Sequence, residues 1–225
     1  MSMHIDGKKI AEMYWAGQKI REAWYEGQRV FSGKPVEVMP PTPNWYDAQD
    51  WLRGRLTEYG ESYQTVKEIP FEIDTGESSN LDSMFRGCSS LTTVPDMDTS
   101  QVTNMLSMFD GCSSLTTAPV MDTSQVTTMF AMFDGCSSLT TVPDMDTSQV
   151  MSMGGMFENC SSLTTVPDMN THNVTDVSYM FSGCSSLTDG NVRLIGRHPN
   201  VDTWDMIRSS GLTREPFYDS SGQPI

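Results

Sequence analysis

The stretch GCSSLTTVPDMDTSQVTNMLSMFD, residues 87 to 110, is followed without a break by GCSSLTTAPVMDTSQVTTMFAMFD at 111 to 134. GCSSLTTVPDMDTSQVMSMGGMFE occupies 135 to 158 and NCSSLTTVPDMNTHNVTDVSYMFS occupies 159 to 182. A constant period of 24 residues marks stacked coils, each too small to bury its own apolar side and completed by its neighbours. Within one unit, Leu91, Val94 and Met97 lie on a short extended segment. Pro95 among them removes a ladder donor and predicts a short or irregular strand. Asp98-Thr99-Ser100 reads as a turn and helix start, because Asp and Ser oxygens accept from the next free N–H groups. Val102, Met105, Met108 and Phe109 follow i, i+3, i+6, i+7 spacing, which predicts a short helix with one apolar stripe. Gly111 fits the position that ends it. The expected fold is therefore an α/β repeat, a solenoid of 24-residue coils of short strand plus short helix.

Stacking turns each position into a column. Phe85, Phe109, Phe133, Phe157 and Phe181 form one; Leu91, Leu115, Leu139, Leu163 and Leu187 form another. Both read as core. Cys88, Cys112, Cys136, Cys160 and Cys184 form a third. Zinc sites want close cysteine pairs, and none exists here. A disulfide needs Cα atoms within about 7 Å, while helices on the side of a solenoid stand ~10 Å apart. Buried free thiols are the expectation.

The repeats occupy 66 to 188, with 66–86 a degenerate first coil in which Leu81, Met84 and Phe85 fall in register. Upstream, a smaller repeat runs over 1 to 32: GKKI, GQKI and GQRV begin at Gly7, Gly17 and Gly27. Asp6-Gly7 is a strong hairpin signal, Ala16-Gly17 and Glu26-Gly27 weaker ones. The reading is an antiparallel β-meander with Tyr14, Trp15, Trp24, Tyr25 and Phe31 distributed over both faces. So small a sheet needs a partner layer, which the solenoid, sister copies or a larger assembly would supply. These five aromatics are the candidate anchoring and oligomer contacts. Residues 33–43, with Pro40, Pro41 and Pro43, read as a stiff linker. Residues 44–65 read as a helical cap, with Asn44 as N-cap and Ala48, Trp51, Leu52 and Leu56 on one face. Beyond Leu187 the period breaks. Residues 189–225 read as a C-terminal cap of two short helices and a tail, with Thr203 as an N-cap, Gly211 as a stop, and Trp204, Met206 and Ile207 as apolar contacts.

Composition narrows the function. The 225 residues carry a formal net charge of −15. Nucleic acid and anionic membranes are excluded as bulk electrostatic partners; solubility, a cation or a basic partner remain. No stretch approaches ~18 continuous apolar residues, so no membrane insertion is expected. The N-terminus lacks the pattern of a signal peptide, which predicts synthesis in the cytoplasm. His4, His172 and His198 sit in no metal or triad motif, and no phosphate-binding loop is present. The sequence predicts no catalytic residue, no metal ligand and no cofactor.

The outward positions of the extended face are the candidate recognition surface: Thr93, Thr117, Thr141 and Thr165, beside Asp96, Asp144 and Asp168. Val120 interrupts the acidic row. Such a face suits a glycan or a protein; a merely solvated threonine column is the simpler reading. Asp98, Asp122, Asp146 and Asn170 form a second row, held by turn N–H groups or by a cation. Positions where the copies differ, Val120, Gly154-Gly155 and His172, are further candidates for specificity.

The MFxGCSSL core at Met84–Leu91, Met108–Leu115, Met132–Leu139 and Met180–Leu187, with MFENCSSL at Met156–Leu163, resembles the repeats of BspA-like, leucine-rich-repeat-related bacterial surface proteins. The resemblance implies a right-handed leucine-rich-repeat-like solenoid used for adhesion or recognition. The flanks GKKIAEMYWAGQKIREAWYEGQRVF and SGLTREPFYDSSGQPI are similar to segments of tail-associated proteins from phages of actinobacteria. That likeness implies a virion structural protein of the tail tip or tail fibre, made in the host cytoplasm and carried to a cell surface on the particle, with a trimer as the candidate oligomer. Its expected partners are other virion tail proteins, sister copies in a homo-oligomer, and a host surface glycan or protein. The alternative is a bacterial cell-surface adhesin of the BspA-like type.

Overall fold

The computed structural model describes residues 13–15, 18–20, 23–25, 28–31, 36–39, 47–76 and 78–225. Its organising element is a stack of coils joined by backbone hydrogen bonds. Asn80, Asn104, Thr128, Ser152, Asp176 and Asp202 form one continuous run of parallel bridges, and Thr117 bridges Thr141 in the same sense. The Phe85, Phe109, Phe133, Phe157 and Phe181 rings lie near parallel with successive centroids 5.3, 5.3, 5.7 and 5.9 Å apart. That repeat is close to the ~4.8 Å between neighbouring strands, not the width of a helix. All five rings are fully buried, as is the leucine column. Each such side chain contributes roughly 1.5–3 kcal/mol of burial, and only a neighbouring coil can supply it.

The expected short helix over 102–109 is absent. Among the described residues, α1 (Asp47–Glu58) is the single α-helix. The helix-like spacing arises from consecutive turns. The N–H groups of Asp110 and Cys112 bond three residues back, to Ser107 O and Phe109 O. The intervening N–H groups of Met105, Ser107, Phe109 and Gly111 donate to Thr128, Phe130, Met132 and Asp134 O of the next coil at 2.7–3.2 Å. A helix would keep every bond within the coil; here alternate donors leave it. The price is a left-handed residue in every coil: Ser83, Ser107, Ala131, Gly155, Tyr179 and Asp205 all have φ between 51° and 61°. For L-residues that conformation costs about 1–2 kcal/mol, offset by the inter-coil bond that each of the first five N–H groups makes.

The N-terminal strands also depart from expectation. β1 (Met13–Trp15) pairs antiparallel with β2 (Gln18–Ile20), and β3 (Ala23–Tyr25) with β4 (Gln28–Phe31). These are two hairpins in separate sheets, not one meander. β2 turns its other edge to β5 (Val36–Val38), which runs parallel to β6 (Glu72–Asp74). The segment 33–43 is thus partly a strand, and one hairpin is continuous with the stack. The shared edge lengthens the sheet by hydrogen bonding. Tyr14, Trp15, Trp24, Tyr25 and Phe31 fall within these strands, but their side chains, like Asp6-Gly7 and Asn44, lie outside the described residues.

At the C-terminal end the stack continues past the sequence repeat. Two extra residues separate Asp176 from Asp202, and the bridge still forms. Residues 203–209 form another set of turns rather than a helix, with Met206 under Met180 and Ile207 under Phe181. Met206 is buried, but Trp204 is 65% exposed and stands outside the buried core. β7 (Met169–Asn170), β8 (Leu194–Ile195) and β9 (Phe217–Tyr218) form a parallel sheet on the strand side. Gly211 passes so close to coil 184–187 that a Cβ there would stand 2.0 Å from Leu187 O.

Candidate functional site

The polar columns divide by what their side chains do. Thr99, Thr123 and Thr147 are buried, and each hydroxyl donates to the carbonyl of Asp122, Asp146 or Asn170 in the next coil at 2.9–3.0 Å. Thr103, Thr127 and Thr175 donate to the preceding coil at 3.1–3.2 Å. Thr92, Thr140 and Thr164 also donate to the preceding coil. These hydroxyls bind coil to coil.

The outward row behaves differently. Thr93, Thr117 and Thr141 are exposed, and their hydroxyls have no hydrogen-bond partner among the described residues. Asp96 and Asp144 are exposed beside them, with Val120 at 74% exposure between the two. Thr165 and Asp168 part from this row. Thr165 donates to Asn191 O at 3.4 Å, and Asp168 pairs with Arg193 at 3.0 Å. The accessible polar strip thus runs over three coils and closes at the fourth.

The second acidic row is spoken for locally. Asp98, Asp122 and Asp146 each accept the N–H of the serine two residues on, at 2.9–3.0 Å. Those backbone N–H groups favour the charged form and hold the Asp98 and Asp122 carboxyls below the usual range. Asn170 makes the same turn to His172 N at 3.1 Å. The His172 ring then lies across Gly196, where a Cβ would stand 2.5 Å from it. A third acidic row, Asp110, Asp134 and Glu158, was not singled out from the sequence. Burial raises all three carboxyls above their usual range. Arg86 pairs with Asp110 at 2.8 Å, and Asn159 donates to Asp134 at 3.2 Å.

The cysteines are buried free thiols, though not for the reason of helix-wide separation. Coils at strand spacing bring successive cysteines close. Four of the five thiols instead donate to a carbonyl one coil back: Cys112 to Phe85 O, Cys136 to Phe109 O, Cys160 to Phe133 O and Cys184 to Phe157 O, at 2.9–3.1 Å. Burial pushes every thiol up, Cys88 and Cys184 to about 12. A thiol so far from its thiolate is a poor nucleophile.

Where the copies differ, aromatic side chains emerge. Phe130 is 41% exposed. Gly154 in the next coil makes room for it, since a Cβ there would lie 3.0 Å from Phe130 Cε2 and 2.7 Å from Asp176 Oδ2. Further along, Trp204 Nε1 donates to the Tyr179 hydroxyl at 3.0 Å. Among the described residues no group of three or more His, Cys, Asp or Glu side chains is arranged to hold a metal ion, and no helix is long and apolar enough to cross a membrane.

Residues 79–194 match the family described as "Mycoplasma protein of unknown function, DUF285", over just over half of the chain. The chain belongs to this family. The matched span contains the 24-residue units from Asn80 to Leu194, which places them among BspA-like repeats. The N-terminal hairpins and the tail after Leu194 lie outside the DUF285 match. No curated protein matches the chain.

Proposed function

We propose that this protein is a structural component of a phage tail tip or tail fibre, in which the N-terminal strands attach to other tail proteins and the coil stack contacts a glycan or protein of the host cell surface. The observation that carries the recognition part is the row Thr93, Thr117 and Thr141. In the neighbouring column Thr92, Thr140 and Thr164 donate their hydroxyls to the preceding coil, whereas this row leaves them outward beside Asp96 and Asp144. Donors and acceptors fixed at strand spacing are pre-organised, so binding orders few side chains. The DUF285 match supports repeats of a surface-protein kind. The attachment part rests on the likeness of the flanks to tail proteins. Self-association into a fibre fits the same reading, and the net charge of −15 opposes a nucleic-acid partner.

The test is binding of the labelled full chain to intact actinobacterial cells, comparing it with the Thr117→Lys/Thr141→Lys double variant. A loss of at least tenfold is expected; unchanged binding by a folded variant overturns the recognition face. Immunogold labelling of purified particles tests the tail location. The second reading, a bacterial cell-surface adhesin of the BspA-like type, is favoured by the DUF285 match alone. It predicts the protein in the bacterial envelope fraction and none in particles.

A further inference from the structure

The coil stack ends on an unsatisfied edge. Val177, Tyr179, Phe181 and Gly183 donate their N–H groups to Asp202, Trp204, Met206 and Arg208 O of the final coil at 2.8–2.9 Å. The equivalent donors of that final coil are Thr203, Asp205, Ile207 and Ser209. None of these four has a backbone or side-chain acceptor among the described residues. The carbonyls of Thr203, Asp205 and Ile207 are already used by turn bonds from Met206, Arg208 and Ser210. The edge therefore presents donors, spaced two residues apart, and no complementary row of acceptors.

The surroundings make the edge a ledge. On the strand side β9 adds one more layer over β8, whereas the turn side stops at 203–209. A shallow concavity of about 320 Å³ lies there, lined by Thr203, Asp205, Met206, Ile207, Arg208 and Glu215. Ile207, last in the phenylalanine column, is only half-buried. Its outer side lacks the side chain of a following coil that covers every earlier member.

We infer that the Thr203–Ser209 edge is a docking site for a segment of another polypeptide that takes up the same turns as the coils, adds one more coil-like layer through its carbonyl oxygens and covers Ile207 with an apolar side chain. Three observations select this occupant. Carbonyls at every second residue of a segment that turns as the coils do meet donors at the same spacing, as Ser152, Gly154, Met156 and Glu158 O meet the Met129, Ala131, Phe133 and Gly135 N–H groups. The contact repeats the interface already made between every pair of coils within this chain. A second copy does not fit: two such edges would set donor against donor, and at the opposite end of a copy three of the four equivalent carbonyls, those of Asn80, Met84 and Arg86, already accept side-chain bonds. There Tyr63 Oη donates to Met84 O at 2.9 Å and Gln49 Nε2 to Arg86 O at 3.1 Å. This site is separate from the Thr/Asp face and stands or falls without it.

The probe is the chain's own coil sequence VMSMGGMFEN (residues 150–159), whose carbonyls accept the same bonds from coil 129–135. It is fused through a flexible Gly/Ser linker to the C-terminus of the full chain, so that the effective concentration is about millimolar. Amide exchange is then read by NMR. Exchange at Thr203, Asp205, Ile207 and Ser209 should slow at least tenfold, and a fusion in which the probe's phenylalanine is aspartate should slow it much less. Unchanged exchange in the fusion overturns the proposal. So does protection that rises with concentration in the unextended chain, which would assign the edge to a second copy.

Discussion

The two ends of the coil stack face the same problem and meet it differently. At the N-terminal end the first coil presents carbonyls, and side chains from earlier in the chain close three of the four: Ser78 on Asn80 O, Tyr63 on Met84 O, Gln49 on Arg86 O. Helix α1 lays Ala48, Leu52 and Leu56, all buried, over the apolar columns. At the C-terminal end the last coil presents N–H groups, and nothing among the described residues answers them. Solenoids need covered ends for solubility. A covered end and an open one on the same stack separate a terminus built for stability from one available for assembly.

That contrast is open to attack by substitution. The largest effect is expected from Leu52→Ala, which empties a fully buried position under the closed end and should cost about 2–5 kcal/mol in chemical denaturation. Trp204→Ala, at the open end, should change stability by less than about 0.5 kcal/mol. Gly211→Ala should cost about 1–3 kcal/mol, because its methyl meets the Leu187 carbonyl and backbone must move. Tyr63→Phe should cost about 1–2 kcal/mol by stripping Met84 O of its donor. Tyr179→Phe, which loses only an exposed bond to Trp204, should cost much less. Gly54→Ala should stabilise α1 by about 0.8 kcal/mol, since the added methyl enters open space in a helix.

The smallest effect is electrostatic and has opposite signs in two rows. Asp98 and Asp122 have lowered carboxyls, so their contribution is present at neutral pH and is lost as pH falls through the folded values. Asp110, Asp134 and Glu158 have raised carboxyls, so ionisation opposes folding above the folded values and that penalty is relieved as pH falls through them. Asp134→Asn keeps an acceptor for Asn159 and removes the buried charge. It should raise the melting temperature by about 2 °C at pH 7 and leave it unchanged at pH 3.

Much of the stack was legible in the sequence. The phenylalanine, leucine and cysteine columns are visible as identities at a 24-residue period, and all are buried. The backbone within the coil was not legible. Apolar residues at i, i+3, i+6, i+7 describe consecutive turns as well as they describe a helix, and side-chain spacing does not say where alternate N–H groups point. The final coil was hidden by its two-residue insertion, although Asp202-Thr203-Trp204-Asp205-Met206-Ile207 matches Asp176-Val177-Ser178-Tyr179-Met180-Phe181 once that insertion is allowed. The inward threonines Thr99, Thr123 and Thr147 were missed because they sit in a turn motif whose Asp and Ser already explained it. In the candidate face, Thr93, Asp96, Thr117, Thr141 and Asp144 stand exposed. Thr165 and Asp168 are engaged by Asn191 and Arg193, which lie beyond the repeat and carried no sign of that contact.

Backbone amide exchange of the unmodified full chain, read residue by residue, tests the stacked-coil account most directly. Strong protection is predicted at Val177, Tyr179, Phe181 and Gly183, as at Met105, Ser107, Phe109 and Gly111, with fast exchange at Thr203, Asp205, Ile207 and Ser209. Protection at the last four equal to that of the first eight would contradict it.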